Sequence, residues 1–516
     1  MADTKGIVYL VGAGPGDIGL LTVKGLRCLE RADVVVYDYH LNAQVLNYIS
    51  RDAEFIYAGK RGGAHTMTQD EINDCIVEKA HQGHVVCRLK GGDPFIFGRG
   101  GEEAQRLHAE GIPFEVVPAV SSSVAAPAYA GIPLTHRKYA STFAVIPGYE
   151  DMTKSESSID WSKLATGVDT LVFLMAVKNI ADLTEKLIEN GRPADEPVAV
   201  VRWGTRADQE TTVSTLGQIA RIVAERDIRP PAVMVVGKVV NLREELNWYE
   251  SKLLFGHRVL VTRDGDHGLQ RLEDLGAEIL QIPTVKIVPP ASWAGMDAAI
   301  KGIVERTQMP HWLVFTSANG AKYFFDRMMD TGADVRDLAG VKVCAIGPKT
   351  AAKVREWGIR VDLVPGKFHA EGLVDAFVKA QGGADLTGVH ILLPRAEAAR
   401  EVFPDKVREL RGTIDVPVAY RAVSPERHPG RLKRFLREGR ISVATFTSAA
   451  TFDNFLSSVE GGRAMLDGVT IAVIGPVTKK AVEAAGLSVS IMPEEATMEA
   501  LADAIVQWAE ARKARG

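Results

Sequence analysis

Short apolar runs bounded by glycine or proline alternate along the chain with stretches whose apolar residues recur at helical spacing. In the first half the runs are VYLVG (8–12), VVVYD (34–38), VVCRL (85–89), FEVVP (114–118), FAVIP (143–147), TLVFLM (170–175), VAVVRW (198–203) and VMVVG (233–237). Most are apolar throughout rather than alternating. This predicts strands covered on both faces by helices, the α/β pattern with largely parallel sheets. Polar Asp151 to Asp160, with Ser155, Ser157 and Ser158, predicts a loop between subdomains of about 1–150 and 151–252. After VMVVG, the stretch NLREELNWYESKLLFG predicts a helical exit and HRVLVTR (257–263) a fresh strand, placing a larger boundary near 247–257.

The second half repeats itself. Phe315-Thr-Ser-Ala returns as Phe446-Thr-Ser-Ala, and CAIGPKTAAKVREWGIRVDLVP (344–365) returns as AVIGPVTKKAVEAAGLSVSIMP (472–493). Each copy reads strand, turn, helix, glycine, strand, so two similar α/β units follow the first half. On residue patterns alone this half is a two-lobed protein with a cleft, a binding architecture without nucleophile motif, metal cluster or phosphate loop.

Composition narrows the function classes. A length of 516 residues exceeds what one core supports, and 46 % hydrophobic with 24 % charged residues is ordinary for a globular protein. The net charge of −4 recommends neither nucleic acid nor an anionic membrane as partner, so an acidic substrate must be met locally. Cys28, Cys75, Cys87 and Cys344 lie far apart without a CxxC pair, which predicts no metal site, no disulfide framework and a reducing, cytoplasmic setting. No apolar run approaches the roughly 20 residues needed to span a bilayer.

Two glycine-rich turns carry the candidate chemistry. Gly12-Ala-Gly14-Pro15-Gly16 closes the first strand where bare backbone and N–H groups can meet a ligand. Its third glycine comes one residue too early for a dinucleotide fingerprint, and Pro15 removes a donor, so a ligand other than a nicotinamide nucleotide is expected. Leu89-Lys-Gly91-Gly92-Asp93-Pro94-Phe95-Ile96-Phe97-Gly-Arg99-Gly-Gly-Glu-Glu103 sets bare backbone and a carboxylate at a strand's carboxyl end, where open α/β sheets bind ligands. The following loop, Pro118-Ala-Val-Ser121-Ser122-Ser123, offers hydroxyl donors at a helix start, with N-capping as the plainer explanation.

VGAGPGD, LLT, VVVYD, AGKR, RLKGGDPFIFGRGGEE and PAVMVVGKVVNLRE occur in that order. Through them, residues of about 5 to 252 resemble uroporphyrinogen-III C-methyltransferase, of the tetrapyrrole methylases. The departures are PAVSSS for the commoner PGISS form and PGYE (147–150) where many relatives have a TGH-like turn. The resemblance implies two α/β domains holding S-adenosyl-L-methionine in the cleft between them, as a homodimer through the methylase half. Carried over by position, the cofactor contacts are Pro15, Gly91, Gly92, Asp93, Ile96, Ser121, Ser122, Met175 and Gly204. Asp38 and Lys60 fall where the family is proposed to accept and donate protons. Residue by residue, Asp38 reads equally as a strand-end acid, and Lys60 as a solvated lysine or an anchor for a substrate carboxylate. Uroporphyrinogen carries eight carboxylates, and Arg61, Arg88, Arg99, Arg106, Arg137 and Lys138 are candidate anchors or plain surface charge.

RVLVTRD, FTSANG, CAIGPKT, LLPRA, VPVAYRAV, FTSAATF, AVIGPVT and MPEEATMEALADAI resemble uroporphyrinogen-III synthase over about 257 to 511. The resemblance implies two lobes with the chain crossing twice, lobe one at 257–290 plus 422–516 and lobe two at 291–421. This enzyme class closes hydroxymethylbilane into a macrocycle with inversion of its last ring, through loss of a hydroxyl group and a cationic azafulvene. The substrate is intrinsically reactive, so catalysis needs folding of the pyrrole chain and donors for the departing hydroxyl. Tyr420, Thr350 and Thr478 match cleft positions of the family, with Thr316, Ser317, Thr447 and Ser448 as further donors. The hydroxyls read equally as turn caps and Tyr420 as a half-buried aromatic.

The fold class expected is α/β, a two-domain tetrapyrrole methylase followed by a two-lobed synthase-like unit. The function expected is bifunctional: hydroxymethylbilane to uroporphyrinogen III, then two methylations to precorrin-2 for sirohaem and cobalamin. An alternative is a methylase acting on a later corrin intermediate, with the second half a tetrapyrrole-binding or regulatory module. Because the methylase pattern begins by Gly6, oxidation of precorrin-2 and iron insertion are expected to need another protein.

Overall fold

The computed structural model describes residues 6–38, 41–42, 44–50, 52–59, 67–149, 158–263, 268–368, 370–383, 385–399, 401–423, 434–459 and 461–514. The first sheet comprises β1 (Ile7–Gly12), β2 (Val34–Tyr37), β3 (Glu54–Tyr57), β4 (Val85–Lys90) and β5 (Phe114–Val117) in the order β3-β2-β4-β1-β5, parallel throughout. Its central strands are buried on both faces, and separate apolar clusters form on either side, one around Val11, Leu29 and Leu89, the other around Val8, Ile76 and Leu107. Its order reverses between β4 and β1, so their carboxyl ends open a crevice, the place where such sheets bind ligands.

The second sheet holds β6 (Phe143–Pro147), β7 (Thr170–Leu174), β8 (Pro197–Arg202), β9 (Glu210–Thr215) and β10 (Ala232–Val236) in the order β6-β7-β10-β8-β9. Only β6 and β7 run parallel; the other pairs are antiparallel. Every apolar run read as a strand in this half forms one. The strands without such a run are β3 and β9, both at sheet edges, where EFIY and ETTVST need no continuous apolar face.

In the second half, β11 (Arg258–Val261), β12 (Glu278–Gln281), β20 (Val443–Phe446) and β21 (Thr470–Val473) build a parallel sheet ordered β12-β11-β20-β21. A second parallel sheet, β15-β14-β16-β18, uses β14 (Trp312–Phe315), β15 (Lys342–Ala345), β16 (His390–Leu392) and β18 (Thr413–Asp415). A third, three-stranded sheet ordered β13-β19-β17 is built from β13 (Lys286–Val288), β17 (Arg395–Ala396) and β19 (Val418–Val423). In both repeat copies the expected last strand shrinks to a single parallel bridge, Cys344 with Leu363 and Ala472 with Ile491. The two bridges are built alike, since Ala345 donates to the Leu363 carbonyl at 3.0 Å and Val473 to the Ile491 carbonyl at 2.9 Å.

The expected helical exit after β10 is helical only over Lys238–Leu242 and Arg243–Leu246. Beyond it, aromatic anchoring replaces helix: the Trp248 indole donates to the Ala128 carbonyl at 2.9 Å, and Tyr249 packs edge-on against Tyr129 and Phe255. Among the described residues no helix is long and apolar enough to cross a membrane.

Candidate functional site

The two glycine turns are stitched together. Gly92 donates to the Gly14 carbonyl at 2.8 Å and Gly14 to the Gly92 carbonyl at 3.3 Å, side by side at the ends of β1 and β4. Gly14 has φ +77° and Gly92 φ +68°, a backbone conformation that glycine adopts without strain. A Cβ on Gly12 would stand 2.5 Å from Ala119 Cβ, so the loop after β5 closes over the same point. Ser121 caps the helix Ser122–Tyr129, accepting from Ser123 N–H at 3.3 Å, and its hydroxyl lies 2.8 Å from that of Ser123. The Asp93 carboxylate accepts from Phe95 N–H at 2.8 Å and from Ala119 N–H at 2.9 Å, which ties the β4 loop to the β5 loop.

Gly91, Gly92, Asp93, Ser121 and Ser122 therefore share the carboxyl end of the first sheet, with Pro15 on the facing loop. A Cβ on Gly92 would project toward Ser122 N, 3.9 Å away, into space that holds no other protein atom within 4 Å. That space is a cradle lined by backbone at a helix start, suited to the polar end of a ligand. Phe95, Ile96 and Phe97 are exposed on the β4 loop, and Met175 is exposed just past β7. Left-handed backbone occurs in Phe97, Arg99, Met175, Trp203 and Thr205, non-glycine residues of the loops that carry these candidates. Such strain persists only where surroundings over-determine it, and it gathers at ligand sites. Gly204 lies between two of them, and a Cβ there would fall 2.5 Å from that of Ala126. Backbone at a helix start beside exposed Ile96 and Met175 suits a ligand with a charged amino-acid-like end and a flat heteroaromatic ring, as S-adenosylmethionine has.

Asp38 emerges from β2 into a buried ion network. Its carboxylate sits 2.8 Å from the Arg88 guanidinium, Arg88 Nε donates to Glu103 at 3.0 Å, and Lys90 Nζ reaches the same Glu103 oxygen at 2.7 Å. Arg88 is only 2 % exposed. Burial opposes its charge, but Asp38 and Glu103 more than compensate and its pKa is raised. Burial, with Arg88 beside it, pulls Lys90 below the ordinary lysine range. Arg88 thus spends its charge inside the protein, a correction to its reading as a substrate anchor. Arg99 pairs with Glu102 and Arg106 with Asp74, both at the surface. Lys60 and Arg61 lie outside the described residues.

In the second half, Tyr420 on β19 is buried, its hydroxyl 3.0 Å from Ser317 Oγ and its ring stacked on Tyr323. Ser317 also caps the helix Ala318–Asp330, accepting from Gly320 N–H at 2.9 Å. Ser448 caps Ala449–Ser458 in the equivalent place, so the capping reading holds for both serines. Thr350 and Thr478 are buried in the first turns of Pro348–Arg355 and Pro476–Ala484, matching positions of the repeat. Tyr420 packs into one core with Phe315, Val343 and Val354, beside the sheet that Thr350 follows, whereas Thr478 follows β21 of the other four-stranded sheet.

Sequence reading missed the junction between the halves. A small cavity of ≈ 70 Å³ is lined there by Gly16, Asp17, Thr205, Arg206, Glu273 and Glu278, among others. Burial, with Asp17 and Asp274 nearby, pushes Glu273 up to about 7 from an ordinary 4.5. A carboxyl raised in the folded state contributes stability that is full below about pH 4.5 and lost as pH rises through 7. Glu273→Gln is therefore expected to melt close to the unmodified chain near pH 4.5. Above 7 it should be more stable by on the order of 1 kcal/mol, discounted for partial exposure. Thermal melts at both pH values check this, and an equal difference at both would contradict it.

Comparison with known proteins divides the chain in the same two parts. A family of tetrapyrrole (corrin/porphyrin) methylases matches residues 7–220, and the uroporphyrinogen-III synthase HemD family matches residues 268–503. Porphyrin biosynthesis protein HemD of Ruminiclostridium josui is 36 % identical over 507 residues, covering 97 % of this chain and 98 % of that protein. A uroporphyrinogen-III C-methyltransferase of Bacillus subtilis is 40 % identical over 383 residues, covering 72 % of this chain and 77 % of its own length. An S-adenosyl-L-methionine-dependent uroporphyrinogen III methyltransferase of Methanosarcina barkeri is 52 % identical over 246 residues, 48 % of this chain and 96 % of that protein. With the cradle of the first half and the duplicated lobes of the second, the chain belongs to the tetrapyrrole-biosynthesis fusions that join a uroporphyrinogen-III methylase to a HemD-type synthase.

Proposed function

We propose that the chain converts hydroxymethylbilane to uroporphyrinogen III in its second half and methylates that product twice in its first, giving precorrin-2. The observation that carries the methylase reading is the cradle at the ends of β1, β4 and β5. Full-length similarity to a porphyrin biosynthesis protein supports the pairing of the two activities in one chain.

S-adenosyl-L-methionine, when bound, supplies an electrophilic methyl group on a sulfonium centre. Gly91, Gly92, Ser121 and Ser122 are the backbone that would hold its polar end, with Ile96 and Met175 against its apolar part. Asp93 acts on the loops rather than on the ligand alone, since both its oxygens hold backbone N–H groups. Asp38, oriented by Arg88, takes the proton that the macrocycle gives up from a pyrrole N–H or bridging carbon when the fully substituted pyrrole carbon gains its methyl group, and Lys60 is its proposed partner. In the second half, Tyr420 and Ser317 present a hydroxyl pair that helps the substrate hydroxyl leave, with Thr350 and Thr478 as further donors. Domain limits of 1–252 and 257–516, a homodimer through the methylase half and a cytoplasmic setting complete the proposal.

Hydroxymethylbilane and methyl-labelled S-adenosylmethionine supplied to the full chain should yield doubly labelled precorrin-2. Unlabelled macrocycle would sink the methylase reading, and the uninverted isomer I alone the synthase reading. Tyr420→Phe keeps the stacked ring and removes only the hydroxyl. It is expected to slow synthase turnover about tenfold, less than the roughly 10²-fold typical of a lost transition-state donor, because the substrate is reactive by itself. Isomer III formation at the normal rate would remove Tyr420 from the mechanism.

A further inference from the structure

The strained loop Trp203–Gln209 of the methylase half is gripped by the synthase half. Glu278 on β12 accepts a hydrogen bond from Ala207 N–H at 3.2 Å, and its carboxylate pairs with Arg258 of β11 at 2.7 Å. Arg258 reaches across to Asp208 at 3.3 Å, and Asp208 also pairs with Arg440. Arg258 is 3 % exposed and Glu278 11 %, so this is an interior clasp rather than a surface contact. Burial opposes the charge of Glu278, but Arg258 and Arg206 hold it at about 2 and it stays ionised.

The gripped loop leads directly to the cofactor cradle. Thr205, with φ +71°, accepts from Asp17 N–H at 3.0 Å through its hydroxyl. A Cβ on Gly16 would lie 2.9 Å from Arg206 Cγ and 3.0 Å from that hydroxyl, so the turn holding Gly14, Pro15 and Gly16 is seated on the loop. Within the methylase half the loop is held by Gln209, whose side chain accepts from Thr205 N–H at 2.7 Å and donates to the Tyr129 carbonyl at 3.2 Å. Two left-handed non-glycine residues, Trp203 and Thr205, flank Gly204, a conformation that needs holding from more than one side.

We propose that Glu278 and Arg258 of the synthase half are positioning residues for methyl transfer, holding the Trp203–Gln209 loop and, through Thr205, the Gly12–Gly16 turn in their cofactor-binding shape. The inference rests on the cofactor site proposed above. It makes the fusion more than a tether, because the methylase's affinity depends on a face of its neighbour. By linkage, cofactor in the cradle tightens the junction to the same degree.

The test uses the full chain. Glu278→Ala removes the acceptor for Ala207 and the partner of Arg258, whereas Glu278→Gln keeps an acceptor oxygen. Affinity for S-adenosylhomocysteine, measured by calorimetry, is expected to fall about tenfold in Glu278→Ala, within the usual span of coupling between sites. The KM for S-adenosylmethionine should rise in parallel. The methylase kcat and the synthase rate should stay within about twofold, and Glu278→Gln should recover much of the affinity. Should Glu278→Ala leave Arg258 with Asp208 as its remaining carboxylate and fail to fold, Asp208→Asn keeps the Glu278–Arg258 pair and should show a smaller loss in the same direction. Unchanged affinity in the folded variants, or synthase activity falling in step with it, would overturn the proposal. No binding by the unmodified chain would instead overturn the cofactor site on which it rests.

Discussion

Gly92→Val is expected to abolish measurable binding of S-adenosylhomocysteine and lower methyl transfer by at least about 10²-fold, while hydroxymethylbilane is still cyclised at the normal rate. Gly92 occupies φ +68°, where a β-branched residue is strained by about 1–3 kcal/mol. Outside its own loop the protein leaves room for a first side-chain carbon, since the nearest atom to a Cβ there is Ser122 N at 3.9 Å. The loss therefore falls on the ligand: valine fills the space over the helix start and pulls on the paired bonds between Gly92 and Gly14. The fold survives because the strain is local and the synthase sheets share no strand with it. Asp93→Ala should weaken binding by another route, releasing Phe95 and Ala119 N–H groups so that the β4 and β5 loops part. Calorimetry, label incorporation and bilane consumption on one preparation separate these effects. Normal affinity in both variants would mean that the cradle is misplaced.

What was legible in the sequence follows from how each feature is encoded. Strands such as Val34–Tyr37 and Thr170–Leu174 lie inside sheets with both faces covered, so burial writes them as unbroken apolar runs. Edge strands Glu54–Tyr57 and Glu210–Thr215 answer to no such demand and left little trace. The FTSA and GP-T repeats were visible as words, and duplication of the fold explains their paired places at helix starts. Hydrogen bonds between distant residues are another matter. Asp93 was legible as a carboxylate in a glycine loop, but its bond to Ala119 depends on how β4 and β5 are placed. Arg88 reads as one more arginine until burial shows it enclosed between Asp38 and Glu103. The junction contacts of Asp17, Thr205 and Glu278 join three regions far apart in sequence, and no local pattern marks them.

Asp38→Asn should separate proton transfer from structure. The substitution keeps the shape and a carbonyl oxygen for Arg88, while Arg88 retains Glu103 at 3.0 Å, so the network loses one charge and not its framework. If Asp38 takes the proton released after methylation, turnover at saturating substrates should fall about 10²- to 10⁴-fold, the usual weight of a general base. Affinity for S-adenosylhomocysteine should stay near normal, because the cradle is built from other strand ends. A carboxylate that only anchors substrate would behave differently, raising the uroporphyrinogen III concentration required while kcat stayed high. Arg88→Met provides the contrast. It leaves Glu103 and Lys90 buried with Asp38 unpaired, and removal of one partner from a buried ion network costs about 3–5 kcal/mol. That variant should unfold at markedly lower denaturant concentration, whereas Asp38→Asn should not. Should Asp38→Asn turn over normally with only weaker tetrapyrrole binding, Asp38 is an anchor and the proton must leave by another group.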